Sequence, residues 1–260
     1  MRRAPLSTLL ALPALFLGAC SPARPPHPRA AEQVRRGYAH LADGDRERAE
    51  VAFEHALEIE PTLPEALNGM GVALRLEGRT GEARARWEAA LFADADAAEA
   101  RSNLGEALAA DGRDAEALAA FEDALRIDPD LPAPRLDRAR VLVRRALAAG
   151  GPERAALLAR ARRDLLHLLE SGAHLAEAHH DLGFVAWTQG DLEVAATSYG
   201  RAAERAPRMA AAHHGICASL ALLGRCAEAV RACQRCLEVD PGNARCERSL
   251  SGARACAASP

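Results

Sequence analysis

Leu104, Leu108, Leu118, Phe121 and Leu125 recur at the spacing of one helix face, and the polar triplet Asp111-Gly112-Arg113 divides them into two groups. A period near 3.6 interrupted by a turn of that composition predicts two helices folded back on each other. The arrangement returns along the chain. Gly37, Gly71 and Gly105 lie 34 residues apart, and Ala49, Ala83 and Ala117, then Phe53, Trp87 and Phe121, then Ala56, Ala90 and Ala124 follow at constant offsets. Gly183, Ala195, Tyr199, Ala202 and Pro207 keep those offsets, and so do Cys217, Ala229, Cys233, Cys236 and Pro241. One such unit cannot bury its apolar face alone, so successive units must stack. The expected fold is all-α, a solenoid of six hairpins, with Gly105 and Ala117 facing each other where two helices cross. Pro61 and Pro129 are expected to end second helices and turn the chain into the next hairpin.

The register places units at 30–63, 64–97, 98–131, 132–175, 176–209 and 210–243, with 244–260 as a capping helix and tail. Unit four departs from the others. It has ten additional residues, carries Ala139 where others have Gly, and contains Ala148-Ala149-Gly150-Gly151-Pro152. The insertion is expected to lengthen the hairpin loop, because adding loop residues costs little closure entropy.

Composition narrows the chemistry. Apolar residues make up 49% and aromatics only 3%, so the core must be Leu and Ala packed between helices. A formal net charge of −3 supplies no basic footprint for nucleic acid. No triad order, phosphate loop or zinc-hydrolase spacing occurs, which argues against an enzyme and for an interaction protein without a cofactor.

The first residues carry an address. Met1-Arg2-Arg3 precedes an apolar stretch, Leu6 to Leu17, too short to cross a hydrocarbon core, and the stretch ends in Leu17-Gly18-Ala19-Cys20. This ending resembles the lipobox of bacterial lipoproteins. The resemblance implies that 1–19 is a removed signal peptide and that Cys20 becomes the lipid-bearing first residue. Ser21 at the next position implies an outer-membrane destination facing the periplasm. Residues 20–29 then form a Pro-rich tether, with four prolines between Ser21 and Ala30. At about 3.1 Å per residue it would lift the folded part roughly 30 Å from the bilayer.

The small residues, aromatics and prolines of the repeat resemble the tetratricopeptide repeat, whose 34-residue pattern places Leu-Gly in a first helix and Ala, an aromatic, Ala and Pro in a second. The resemblance implies a right-handed superhelix whose first helices line a concave binding face. Carried over unit by unit, it marks Tyr38, Asn68, Val72, Glu106, Arg140, Val143, His180, Phe184, Trp187 and His214 as groove residues. Phe184 and Trp187 stand out as an anchor for a partner, since exposed aromatics carry interface energy, or else as packing within the array. Chaperone-type members grip a terminal carboxylate with Lys and Asn; this chain has no Lys, which argues against that ligand. In length, lipobox and repeat number the chain resembles the pilotins that help an outer-membrane secretin of type IV pili assemble. The partners implied are other envelope proteins, a secretin among them, together with the membrane itself. An adaptor for cell-wall enzymes is a second reading.

Three further clusters carry candidate chemistry. Between Pro132 and Arg163 nine Arg stand against Asp137 and Glu153, enough to steer an acidic partner or to form a solvated helix face. His179-His180 and His213-His214 repeat 34 residues apart, which places His180 and His214 on neighbouring first helices, but two ligands do not make a closed metal site. Cys217, Cys226, Cys233, Cys236, Cys246 and Cys256 crowd the last units. In an exported protein they suit disulfides stapling the end of the array, although buried thiols and a cysteine-dependent redox or metal site are alternatives. Six cysteines permit 15 connectivities, and the sequence selects none.

Overall fold

The computed structural model describes residues 25–258. The signal peptide, Cys20 and the start of the tether lie outside the described residues. Thirteen helices follow one another, with no strand among the described residues: α1 (Pro28–Ala42), α2 (Arg46–Ile59), α3 (Pro64–Leu76), α4 (Thr80–Ala93), α5 (Ala98–Ala110), α6 (Asp114–Ile127), α7 (Pro132–Ala148), α8 (Gly151–Ser171), α9 (Leu175–Gln189), α10 (Leu192–Arg205), α11 (Ala210–Leu222), α12 (Cys226–Val239) and α13 (Ala244–Ala258). Each odd helix packs on the even helix that follows and, through it, on the next pair, so contacts run serially along the chain.

The turns show why the hairpins close where they do. Gly44, Gly78, Gly112 and Gly224 take φ of +78°, +82°, +76° and +75°, a conformation that a Cβ disfavours. The following residue then reaches back, as Arg79 N does to Leu74 O (2.9 Å) and Arg113 N to Leu108 O (2.9 Å), to satisfy carbonyls left open at the helix end. Between hairpins, Pro61, Pro129, Pro207 and Pro241 each follow a C-cap residue directly, where no amide donor is required. Pro28, Pro64 and Pro132 occupy first helical positions, where the missing N–H is unpaired in any case. Helix α1 therefore begins at Pro28, two residues inside the segment assigned to the tether.

The core is a row of aromatic rings laid on glycines. A Cβ on Gly37 would stand 2.6 Å from the Phe53 ring, and one on Gly69 would stand 2.2 Å from the same ring, so Phe53 is held between two first helices. Tyr199 sits likewise between Gly183 and Gly215, Trp87 on Gly71 and Phe121 on Gly105. The atoms nearest to a Gly105 side chain belong to Phe121 and Ala120 rather than Ala117, which corrects the expected facing pair: a ring, not a methyl, fills the space that glycine leaves. The widest continuous core spans α5 to α9, from Leu108 to Val185.

Unit four does not carry its additional residues in a loop. Helix α7 is 17 residues and α8 is 21, against 13 for α3 and 14 for α4, and only Ala149 and Gly150 separate them. The inserted Ala, Leu and Arg are strong helix formers, so they add turns to both helices instead of a flexible excursion. Where other units set an aromatic on Gly, Ala139 and Leu165 are both buried. The junction to the next hairpin also differs: Gly172 and His174 take φ of +75° and +47°, and His174 is the one non-glycine residue with positive φ among the described residues.

Candidate protein-binding groove

The first helices of units one to three line an open concavity of about 540 Å³. Tyr38 on α1, Asn68 on α3 and Asn103 on α5 cross its floor as a chain of hydrogen bonds. Asn103 Nδ2 donates to Asn68 Oδ1 (2.8 Å), Asn68 Nδ2 donates to the Tyr38 hydroxyl (3.1 Å), and that hydroxyl donates to Glu65 O (3.4 Å). Successive 34-residue units place these side chains side by side, and the Tyr38 ring is fixed edge-on against Phe53 at 5.2 Å. Burial pushes the Tyr38 phenol above its usual range, and Glu99 and Glu65 add to that, so the hydroxyl stays protonated and a donor. Glu65, Asp94, Asp96 and Glu99 line the same concavity without a basic side chain. Val72 completes its wall.

Beyond this acidic end the face is crossed by ion pairs. Glu106 meets Arg75 at 3.2 Å, and Arg140 meets Asp181 at 2.8 Å and Asp137 at 3.6 Å. Val143 does not join them. It is 7% exposed, buried in succession with Val141 and Leu142, because α7 is covered on several sides by its neighbours, and so it belongs to the core rather than the groove.

Units five and six form a second, aromatic end, a concavity of about 360 Å³. Phe184 and Trp187 stack there with centroids 6.2 Å apart and planes 10° from parallel. The pair divides its roles: Phe184 packs against two core clusters, whereas Trp187 is 39% exposed. His180 lies edge-on to Tyr199 at 5.4 Å, with Nδ1 2.9 Å from Asp181 Oδ1. His214 Nε2 lies 3.2 Å from Ser249 Oγ on the capping helix. Burial, then Arg245 and Arg248, hold the His214 imidazole below its usual range and favour its neutral form. His180 and His214 share this concavity on neighbouring first helices, while His179 and His213 point elsewhere.

Six of the nine Arg in the Arg-rich segment, Arg135, Arg138, Arg140, Arg144, Arg154 and Arg160, are held by hydrogen bonds or ion pairs. Arg138 binds Asp164 with both arms (2.8 and 2.6 Å), Arg144 binds Asp114, Arg160 binds Glu122 at 2.6 Å, and Arg154 donates to Thr188 O at 3.3 Å. Arg144 and Arg160 tie unit four to unit three and Arg154 ties it to unit five, whereas Arg138–Asp164 joins α7 to α8 within the unit. Asp164 is buried, and pairing is what permits that. Among the described residues no group of three or more His, Cys, Asp or Glu is placed to hold a metal ion.

The cysteines pair as Cys217–Cys233, Cys226–Cys256 and Cys236–Cys246, with Cα separations of 5.3, 5.7 and 6.2 Å. Cys233 and Cys236, although spaced as CxxC, bond elsewhere and not to each other. Cys217 and Cys233 occupy the glycine and aromatic slots of unit six, so a disulfide stands where other units lay a ring on glycine. That correspondence was a signal in the sequence for one pairing. Asn103, Asp94 and Asp96 carry no such signal, because they enter the groove through the stacking of units.

Comparison with solved structures places most of the described array in a known architecture. PilW, a "widely conserved type IV pilus biogenesis factor", is similar at a TM-score of 0.72 and 18% identity, over 86% of this chain and 99% of that one. Pseudomonas aeruginosa PilF is similar at 0.68 and 19%, over 86% and 97%. A chain of the APC/C hetero-tetramer Cut9–Hcn1 reaches 0.75 at 14%, but this chain spans only 43% of its length. These likenesses show the shared fold, an all-α helical repeat. No curated protein matches the chain. Models of the tetratricopeptide repeat match residues 33–63, 77–132 and 180–244, more than half of the sequence, and the chain belongs to the tetratricopeptide repeat family.

Proposed function

We propose that this protein is a lipid-anchored scaffold of the bacterial envelope that holds an extended segment of a partner protein along its concave face and assists assembly of an outer-membrane secretin. The polar ladder Tyr38–Asn68–Asn103, set in the concavity beside four carboxylates, carries the binding part of this reading. Amide side chains both donate and accept hydrogen bonds, as a peptide backbone does, and the carboxylates favour a basic segment. Trp187 supplies an apolar anchor at the other end. The anchoring part rests on the Leu17–Cys20 motif. Near-complete coverage of PilF and PilW supports the pilus-related part.

Two measurements test it. Full-length protein carrying Cys20→Ala is expected to leave the membrane fraction and to lose label from a fatty-acid analogue; retention with label would refute the anchor. Purification from envelopes with and without the secretin is expected to recover secretin subunits, and Trp187→Ala combined with Tyr38→Ala is expected to reduce that recovery severalfold. Recovery unchanged by both substitutions would remove the groove from the mechanism.

A further inference from the structure

A separate cleft of about 400 Å³ opens between α8 and α10, on the side of α9 roughly opposite to His180, Phe184 and Trp187. Its floor is aliphatic. Leu182 comes from α9, Leu166 from α8 and Val194 from α10, and the last two are 41% and 52% exposed. Nitrogen-bearing side chains surround the floor: Arg162 on α8, Arg201 on α10 and His179 on α9. Arg162 and Arg201 are both exposed, and neither guanidinium makes an ion pair or hydrogen bond among the described residues. His179 is 8% exposed, and its ring makes no hydrogen bond among the described residues. Asp191 is the single carboxylate along the lining.

We propose that this cleft binds a segment of a partner protein that presents a carboxylate beside aliphatic side chains. The aliphatic groups cover Leu166, Leu182 and Val194, and the carboxylate accepts hydrogen bonds from Arg162, Arg201 and the imidazole of His179. Two cations facing one carboxylate argue for the negative group, and uncovered aliphatic surface flanked by charge argues for its neighbours. Burial, then Arg201 and Arg205, hold the His179 ring below its usual range, against the pull of Glu204. The neutral ring has one N–H to give. This site is independent of the concave groove.

Fluorescence anisotropy on the full mature chain tests it, with a labelled peptide of alternating Leu and Glu as probe and its Leu and Lys counterpart as control. The acidic peptide is expected to bind and the basic one not. The double variant R162Q/R201Q is expected to weaken binding roughly tenfold or more, as loss of two charge-assisted contacts implies. His179→Phe, which keeps the ring's volume, is expected to weaken it less, and Trp187→Ala not at all. Circular dichroism melts verify that each variant is folded. Equal binding of both peptides, or unchanged affinity in folded R162Q/R201Q, would overturn the proposal. So would a result in which laurate binds with the same dependence on Arg162 and Arg201 while the acidic peptide does not, since the cleft would then take a fatty acid.

Discussion

Glycine has opposite meanings at two places in this chain, and substitution separates them. At Gly71 an added Cβ would lie 2.3 Å from Trp87 Nε1, inside a helix pair that has no room to part. Gly71→Ala is therefore expected to destabilise by about 1–3 kcal/mol, as overpacking does. Gly200, within α10, faces nothing within 4 Å. Gly200→Ala is expected to stabilise by about 0.5–1 kcal/mol through backbone entropy alone. Denaturant titration of the two variants checks the pair, and equal signs would contradict the ring-on-glycine core. Asp137 offers a second test at this scale. Burial, with repulsion from Glu106, pushes its carboxyl up to about 6, while Arg140, His174 and Arg75 oppose the shift. Arg140 offsets little, since it sits closer to Asp181 than to Asp137. From the ordinary carboxylate range up to about pH 6 the folded chain keeps a proton that the unfolded chain has released, so this group's contribution to stability falls as pH rises through that window. Asp137→Asn is expected to raise Tm near neutral pH, with a gain that shrinks toward pH 4. Melts across that range measure it, and a gain independent of pH would assign the effect to packing instead.

Among the elements, the last three helices are joined covalently where the others only pack. Cys217–Cys233 links α11 to α12, and the other two bonds link α12 to α13. Among the described residues α13 packs only on α11 and α12, so it is held on one side, and crosslinks there restrict the unfolded chain where packing is weakest. Replacing Cys217 and Cys233 together by Ser is expected to cost about 3 kcal/mol, the scale for a closed loop of that length. Hydrogen exchange should place the loss in α11 to α13, leaving α1 to α6 unchanged. Loss spread evenly over all helices would argue against serial stacking. Because His214 meets Ser249 on α13, the same bonds hold one wall of the aromatic concavity.

For the molecule as a whole, stability should be distributed unevenly, since each hairpin touches only adjacent ones. The broadest core lies around α7 and α8, which bury Leu142, Leu158, Leu165 and Leu168 and whose arginines clamp units three and five. Amides of α7 and α8 are therefore expected to exchange last in native-state hydrogen exchange, and earlier exchange there than in α3 would refute this ranking. The concave face is correspondingly polar along its length, acidic at the first units and aromatic with histidine and Arg245 at the last. Such a face favours a partner segment lying in one direction, with basic residues toward α1.

The sequence by itself determined the hairpins, their order and their register, because a 34-residue period acts locally: turn glycines, post-helix prolines and apolar spacing each decide their own neighbourhood. The groove was legible at Tyr38, Asn68 and Trp187, since one position in a repeat maps to one face of a stack. Tertiary structure decided what depends on neighbours from other units. It placed Val143 in the core, turned the unit-four insertion into longer helices, set rings rather than Ala117 on the glycines and joined the cysteines in pairs. It also gathered His179, Arg162 and Arg201, from three helices and two units, around one cleft. Periodicity specifies how each helix meets the next, but which side chains converge across three of them follows only from the packed geometry.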